Sequence, residues 1–134
     1  MSQAFGTAVL TINVLFCVFT AWSSGIRPVE FASRLGLEIA NAGGINEVRA
    51  QYSGFFLAVA LVCVASLLGW ITRQTSFVVV GAVFGGLLAG RVVSVALNGG
   101  VSGYTPSIIS LYAIDFVGLA LAVTSFVLDS PTKA

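Results

Sequence analysis

The chain has no histidine at all, and charged residues make up only 8% of its 134 positions. Without imidazole, the usual ligand for haem, chlorophyll, zinc or copper is missing. The single methionine is Met1, so a thioether axial ligand is not expected either. Charge is as sparse as histidine. Soluble domains carry about 25% charged residues. With a net charge of +1, no basic surface points to nucleic acid and no acidic tail points to a basic partner. The two cysteines, Cys17 and Cys63, form neither a C-x-x-C nor a metal-ligand spacing. They are expected as small apolar filler inside helices, with a disulfide between helices as the minor alternative. No nucleophile–base pair, metal cluster or phosphate loop is legible, so the expectation is a protein without catalysis and without a cofactor.

What the chain does have is apolar surface: 57% hydrophobic residues and a mean hydropathy of +1.03. A soluble core of this size could not hide that much, which leaves lipid as the solvent. A membrane helix needs about 20 mainly apolar residues. Four stretches qualify, at about 4–25, 46–71, 76–98 and 106–128. Their apolar runs are continuous rather than alternating, which favours helices over a β-barrel. The first lacks a basic leading region and exceeds the 7–15 apolar residues, roughly, of a signal peptide, so it is expected as a retained helix. The fold class predicted is all-α: an integral membrane antiparallel four-helix bundle forming a single domain over residues 1–134.

The linkers differ. Residues 72–75 force a hairpin between the second and third spans, and 99–105 are Gly-rich and uncharged. Residues 28–40, opened by Pro28, predict a short interfacial helix between the first two spans. Phe31, Leu35 and Ile39 would share its apolar face, with Glu30, Arg34 and Glu38 beside it. Residues 41–45 then read as a Gly-rich turn. Four spans put both ends of the chain on one side. Arg73 and Lys133 stand there against Arg27, Arg34 and Arg49 on the other, so the lysine–arginine balance favours neither orientation.

Six residues are expensive in lipid: Glu47, Arg49, Gln51, Tyr52, Arg91 and Asp115. Helical rise puts Arg91 about 10 Å and Asp115 about 13 Å below the same surface on sequential antiparallel helices. That depth match predicts a buried ion pair. Glu47, Arg49, Gln51 and Tyr52 enter from the same surface, so the polar groups of three helices are expected to converge in one half of the bilayer. The opposite half reads as almost wholly apolar. On the fourth span Ser107, Leu111, Asp115, Gly118, Ala122 and Ser125 form one small, polar stripe. On the third, Arg91, Ser94 and Asn98 share a face. Gly81-x-x-x-Gly85 and Gly86-x-x-x-Gly90 mark another face, suited to close helix contact.

The segment Asn46-Glu47-Val48-Arg49-Ala50-Gln51-Tyr52-Ser53-Gly54, with Gly90-Arg91-Val92-Val93-Ser94 downstream, resembles the DUF4345 family. This is a bacterial family of small four-helix membrane proteins named only as a domain of unknown function. The likeness covers nearly the whole chain, although Ser53 stands where the family usually has Gly. It implies the same four-helix fold, a bacterial inner (cytoplasmic) membrane and weight on Glu47, Arg49, Tyr52, Arg91 and Asp115. It implies no activity.

Two roles follow as expectations. One is an accessory or structural subunit, surrounded by membrane lipid and packed against other membrane protein subunits of a larger complex, respiratory or photosynthetic for example. The other is a stand-alone binder or carrier of a small amphipathic molecule or lipid headgroup. For the polar cluster itself, a structural clamp, a pocket and a proton or ion path compete.

Overall fold

The computed structural model describes residues 2–129, so Met1 and Lys133 lie outside it. Those residues form helices α1 (Ser2–Ile26), α2 (Pro28–Arg34), α3 (Ala42–Val48), α4 (Phe55–Leu67), α5 (Arg73–Asn98) and α6 (Pro106–Asp129). A π-helical segment, Arg49–Gly54, joins α3 to α4 without a break. The four spans are therefore Gln3–Ile26, Ala42–Leu67, Arg73–Asn98 and Pro106–Asp129, each long and apolar enough to cross a membrane. The expected all-α, four-span bundle is what the chain forms.

Local chemistry sets the boundaries. The residue before a proline is pushed out of the helical region, and Arg27 sits at φ −126°, ψ 61°. This ends α1 and lets Pro28 open α2. α2 stops at Arg34, well short of the expected residue 40. Gly36 takes φ +74°, and the Gly36 and Leu37 amides donate back to Ser33 and Ala32. That is a Schellman stop, which glycine makes without strain. The expected apolar face survives the shortening. Phe31, Leu35 and Ile39 are all half-buried, although only Phe31 is helical.

The second span starts earlier than expected. Asn41 accepts a hydrogen bond from the Gly44 amide, a side-chain N-cap that draws Gly43 and Gly44 into the helix instead of a turn. Its far end comes earlier too, at Leu67, with Gly69 at φ +76°. Thr72 then caps α5 through the Thr75 amide, so α5 begins three residues before the expected start.

α1 packs against α4, α5 packs against α6, and α1 meets α6 while α4 meets α5. Leu10, Cys17, Val59, Cys63, Phe77, Val80, Phe84 and Ala122 form the centre. Cys17 and Cys63 are buried free thiols. On α6 the predicted stripe points inward: Asp115, Gly118, Ala122 and Ser125 are buried. Gly118 is needed for this packing, since a Cβ there would lie 2.6 Å from the Phe84 ring.

Candidate functional site

Arg91 on α5 and Asp115 on α6 form the buried pair that their depths predict, Nε to Oδ2 at 2.5 Å. The carboxylate is 3% exposed and the guanidinium side chain 19%. Tyr112, almost one turn before Asp115, lays its ring 5.8 Å from the Arg91 guanidinium carbon. Its hydroxyl donates to the Arg91 carbonyl at 3.1 Å. The charge is thus held by a carboxylate and the face of an aromatic ring, both on α6. Leaving either charge alone at this depth would be costly.

Toward the bundle end the polar groups continue. Ser94 Oγ and Tyr104 Oη are 2.8 Å apart, and Asn98 Nδ2 donates to both oxygens at 3.3 Å. These hydrogen bonds, that of Ser94 foremost, hold the Tyr104 hydroxyl below the usual tyrosine range. Thr105 Oγ1 donates to the Arg34 carbonyl at 3.0 Å and accepts from the Ile108 amide at 3.2 Å. One hydroxyl therefore caps α6 and ties its start to the end of α2.

Between these elements lies a cavity of about 550 Å³. Arg91, Ser94, Tyr104 and Tyr112 supply its polar wall; Leu87 and Ile108 supply apolar surface; Leu35 reaches it from the end of α2. Gly86 and Gly90 also line it, and a Cβ on either would meet nothing within 4 Å. Gly81 and Gly85 are different. Their Cβ positions lie 3.6 Å from Ala122 and 3.4 Å from Leu119 on α6. The four glycines expected on one packing face therefore split. Two are used inside the α5–α6 pair, and two open onto the cavity. The split follows from the helix itself, since Gly85 and Gly86 are about 100° apart around the axis.

The remaining candidates stand elsewhere. Arg49 donates from Nε to the Gly25 carbonyl at 3.2 Å, satisfying an orphan acceptor at the end of α1. Tyr52 stacks on Phe31 with ring centroids 5.0 Å apart. Glu47 and Gln51 are exposed. None of these four lines the 550 Å³ cavity, so the cluster expected from three helices is two groups: one on α5 and α6, the other where α1, α2 and the second span meet. The π-helical turn contributes to this. It covers the motif residues Arg49–Gly54, so Arg49, Gln51 and Tyr52 sit on a wider turn than the 3.6-residue period assumes. At Ser53 it is the side chain that lies close against α1. Gly25 provides the space, since a Cβ there would lie 2.8 Å from Ser53 Oγ.

The opposite end of the bundle holds a polar network that sequence reasoning missed. Arg73 donates to the Gln3 carbonyl and to Thr7 Oγ1, both at 2.8 Å, and pairs with Asp129 at 3.7 Å. Gly6 makes room for it, since a Cβ there would lie 2.9 Å from Arg73 Nη2. That half of the bundle is not wholly apolar. The signal was available, because Arg73 and Asp129 stand at matching ends of adjacent antiparallel helices. Among the described residues no group of three or more His, Cys, Asp or Glu side chains could hold a metal ion.

These features define a class: a four-span helical membrane protein with a buried Arg–Asp pair in the wall of an open cavity. A family model described as a domain of unknown function (DUF4345) matches residues 6–126, and the chain belongs to that family. No curated protein and no solved structure matches it.

Proposed function

We propose that the protein is a non-catalytic binder of a small amphipathic molecule, seated in the α5–α6 cavity, in the cytoplasmic membrane of a bacterium. The observation that carries this reading is the cavity itself, about 550 Å³ with polar groups of Arg91, Ser94, Tyr104 and Tyr112 gathered on an otherwise apolar lining. Ligand pockets typically span about 300–1,000 Å³, with a few polar groups to fix orientation. A polar head would sit against Tyr104 and Arg91, and an apolar body against Leu87 and Ile108. The test is native mass spectrometry of protein extracted in a mild detergent. A bound small molecule is expected on the parent and absent from a Gly90→Leu variant, whose added side chain occupies the cavity. An adduct that survives Gly90→Leu unchanged would sink the assignment.

One observation favours the accessory-subunit reading as a second possibility. Gly86 and Gly90 are exposed and a Cβ on either would meet nothing within 4 Å, and small residues mark where helices approach in lipid. On that reading the same Gly90→Leu substitution releases a protein partner rather than a small molecule, and co-purification from native membranes separates the two.

A further inference from the structure

We propose that the surface where α1 meets α2 binds the phosphodiester headgroup of an anionic phospholipid, with one acyl chain lying along α1. The site is separate from the Arg91 cavity. It is a concavity of about 200 Å³ lined by Phe19, Trp22 and Ile26 of α1 and by Arg27, Glu30 and Arg34 at the turn and on α2.

Two guanidiniums face one carboxylate, a net charge of +1. Arg27 reaches Glu30 through a single exposed contact at 3.5 Å. The Arg34 side chain is exposed and, among the described residues, makes no hydrogen bond or ion pair. Most of the donors of both guanidiniums are thus unused, and their planar forks match the paired oxygens of a phosphate. The proline break at Arg27 creates the arrangement. It turns the chain at the end of the span and brings Arg27 and Arg34 beside Trp22.

The apolar floor identifies the phosphate as a lipid's. Phe19, Trp22 and Ile26 continue downward to Leu15, and all four are at least 60% exposed. Their 4-3-4 spacing puts them on one stripe of α1. From Ile26 to Leu15 the stripe runs about 16 Å, close to half of a hydrocarbon core about 30 Å thick. Trp22 lies near the headgroup end, where interfacial aromatics concentrate. A free anion would satisfy the arginines but make no use of the stripe, whereas a lipid engages both through one molecule.

The experiment uses Trp22 as its own reporter. The only other tryptophan is Trp70, which is exposed at the opposite end of the bundle, so a Trp70→Phe chain carries one fluorophore. It is reconstituted in phosphatidylcholine vesicles containing a small fraction of brominated phosphatidylglycerol, or the same fraction of brominated phosphatidylcholine. Quenching should report about fivefold enrichment of the anionic lipid around Trp22, the preference expected of one net positive charge. The Arg27→Gln/Arg34→Gln variant, left with Glu30 and a net charge of −1, should fall to the bulk ratio or below it, and Glu30→Gln should exceed the parent. Equal quenching by the two lipids, or a preference that persists without both arginines, overturns the proposal. Relief of quenching by millimolar inorganic phosphate would also overturn it, by showing that the site prefers a free anion.

Discussion

Arg91 Nε lies 2.5 Å from Asp115 Oδ2, although the residues are 24 positions apart and on different spans. The carboxylate is almost fully buried, so its stability follows the arginine. Removing one partner leaves an isolated charge, a change expected to cost about 3–5 kcal/mol. Asp115→Ala should therefore unfold at much lower denaturant than the parent in the same detergent. An Arg91→Leu/Asp115→Leu double variant should recover most of the loss, because no charge is left unpaired. A parent-like midpoint for Asp115→Ala would show that the pair does not clamp α5 to α6.

Arg73 ties three helices at the other end of the bundle, through Gln3, Thr7 and Asp129. It is partly exposed, so the network should be worth less than the buried pair. Arg73→Gln should lower stability by about 1–2 kcal/mol through its lost charged hydrogen bonds. Hydrogen exchange should show the loss concentrated in the first turns of α1. Uniform loosening of all four spans would contradict this.

Much of the fold was legible because lipid makes sequence unusually informative. Continuous apolar runs impose helices, and helical rise alone places Arg91 and Asp115 at similar depths. Span ends were less legible, since they turn on caps such as Asn41 and on positive-φ glycines such as Gly36 and Gly69, which act within a few residues. The candidate cluster was half legible. Depth is a one-dimensional quantity and says nothing about which helices are neighbours. Glu47, Arg49, Gln51 and Tyr52 enter from the same surface as Arg91, but the second span presents Arg49 to α1 and Tyr52 to α2. The π-helical turn was invisible to periodicity, because a single extra residue in a turn leaves composition untouched.

Tyr104 offers a pH test. Ser94, then Asn98, lowers its ionisation below the ordinary tyrosine value, near 10. A depressed folded-state value means that the folded protein releases this proton before the unfolded chain does. The resulting stabilisation is fully present above the unfolded value and is lost as pH falls through the folded one. In a spectrophotometric titration at the phenolate band, one tyrosine should ionise below pH 10, roughly, and Tyr104→Phe should abolish that step. Ser94→Ala should move it upward. A first ionisation unchanged in Tyr104→Phe would reject the assignment.

The glycines of α5 give the sharpest contrast, because neighbours in sequence have opposite surroundings. Gly85 faces Leu119 at 3.4 Å, while Gly86 faces open space. Leucine at position 85 must push α6 away or force its own side chain out of a favourable rotamer. Overpacking of this kind costs about 1–3 kcal/mol, and it should also loosen Arg91 from Asp115, which bridge the same two helices one to two turns further along. Leucine at position 86 enters the cavity instead and should leave stability within about 0.5 kcal/mol, as for a substitution away from tight packing. The same reasoning predicts that Gly118→Ala is the more damaging of the small changes, since its methyl would meet the Phe84 ring at 2.6 Å, whereas Gly90→Ala should be neutral or mildly stabilising. Thermal unfolding of the four variants in one detergent provides the check. If Gly85→Leu and Gly86→Leu lose the same stability, these glycines form one face after all, and the division between a packed pair and a cavity-lining pair is wrong.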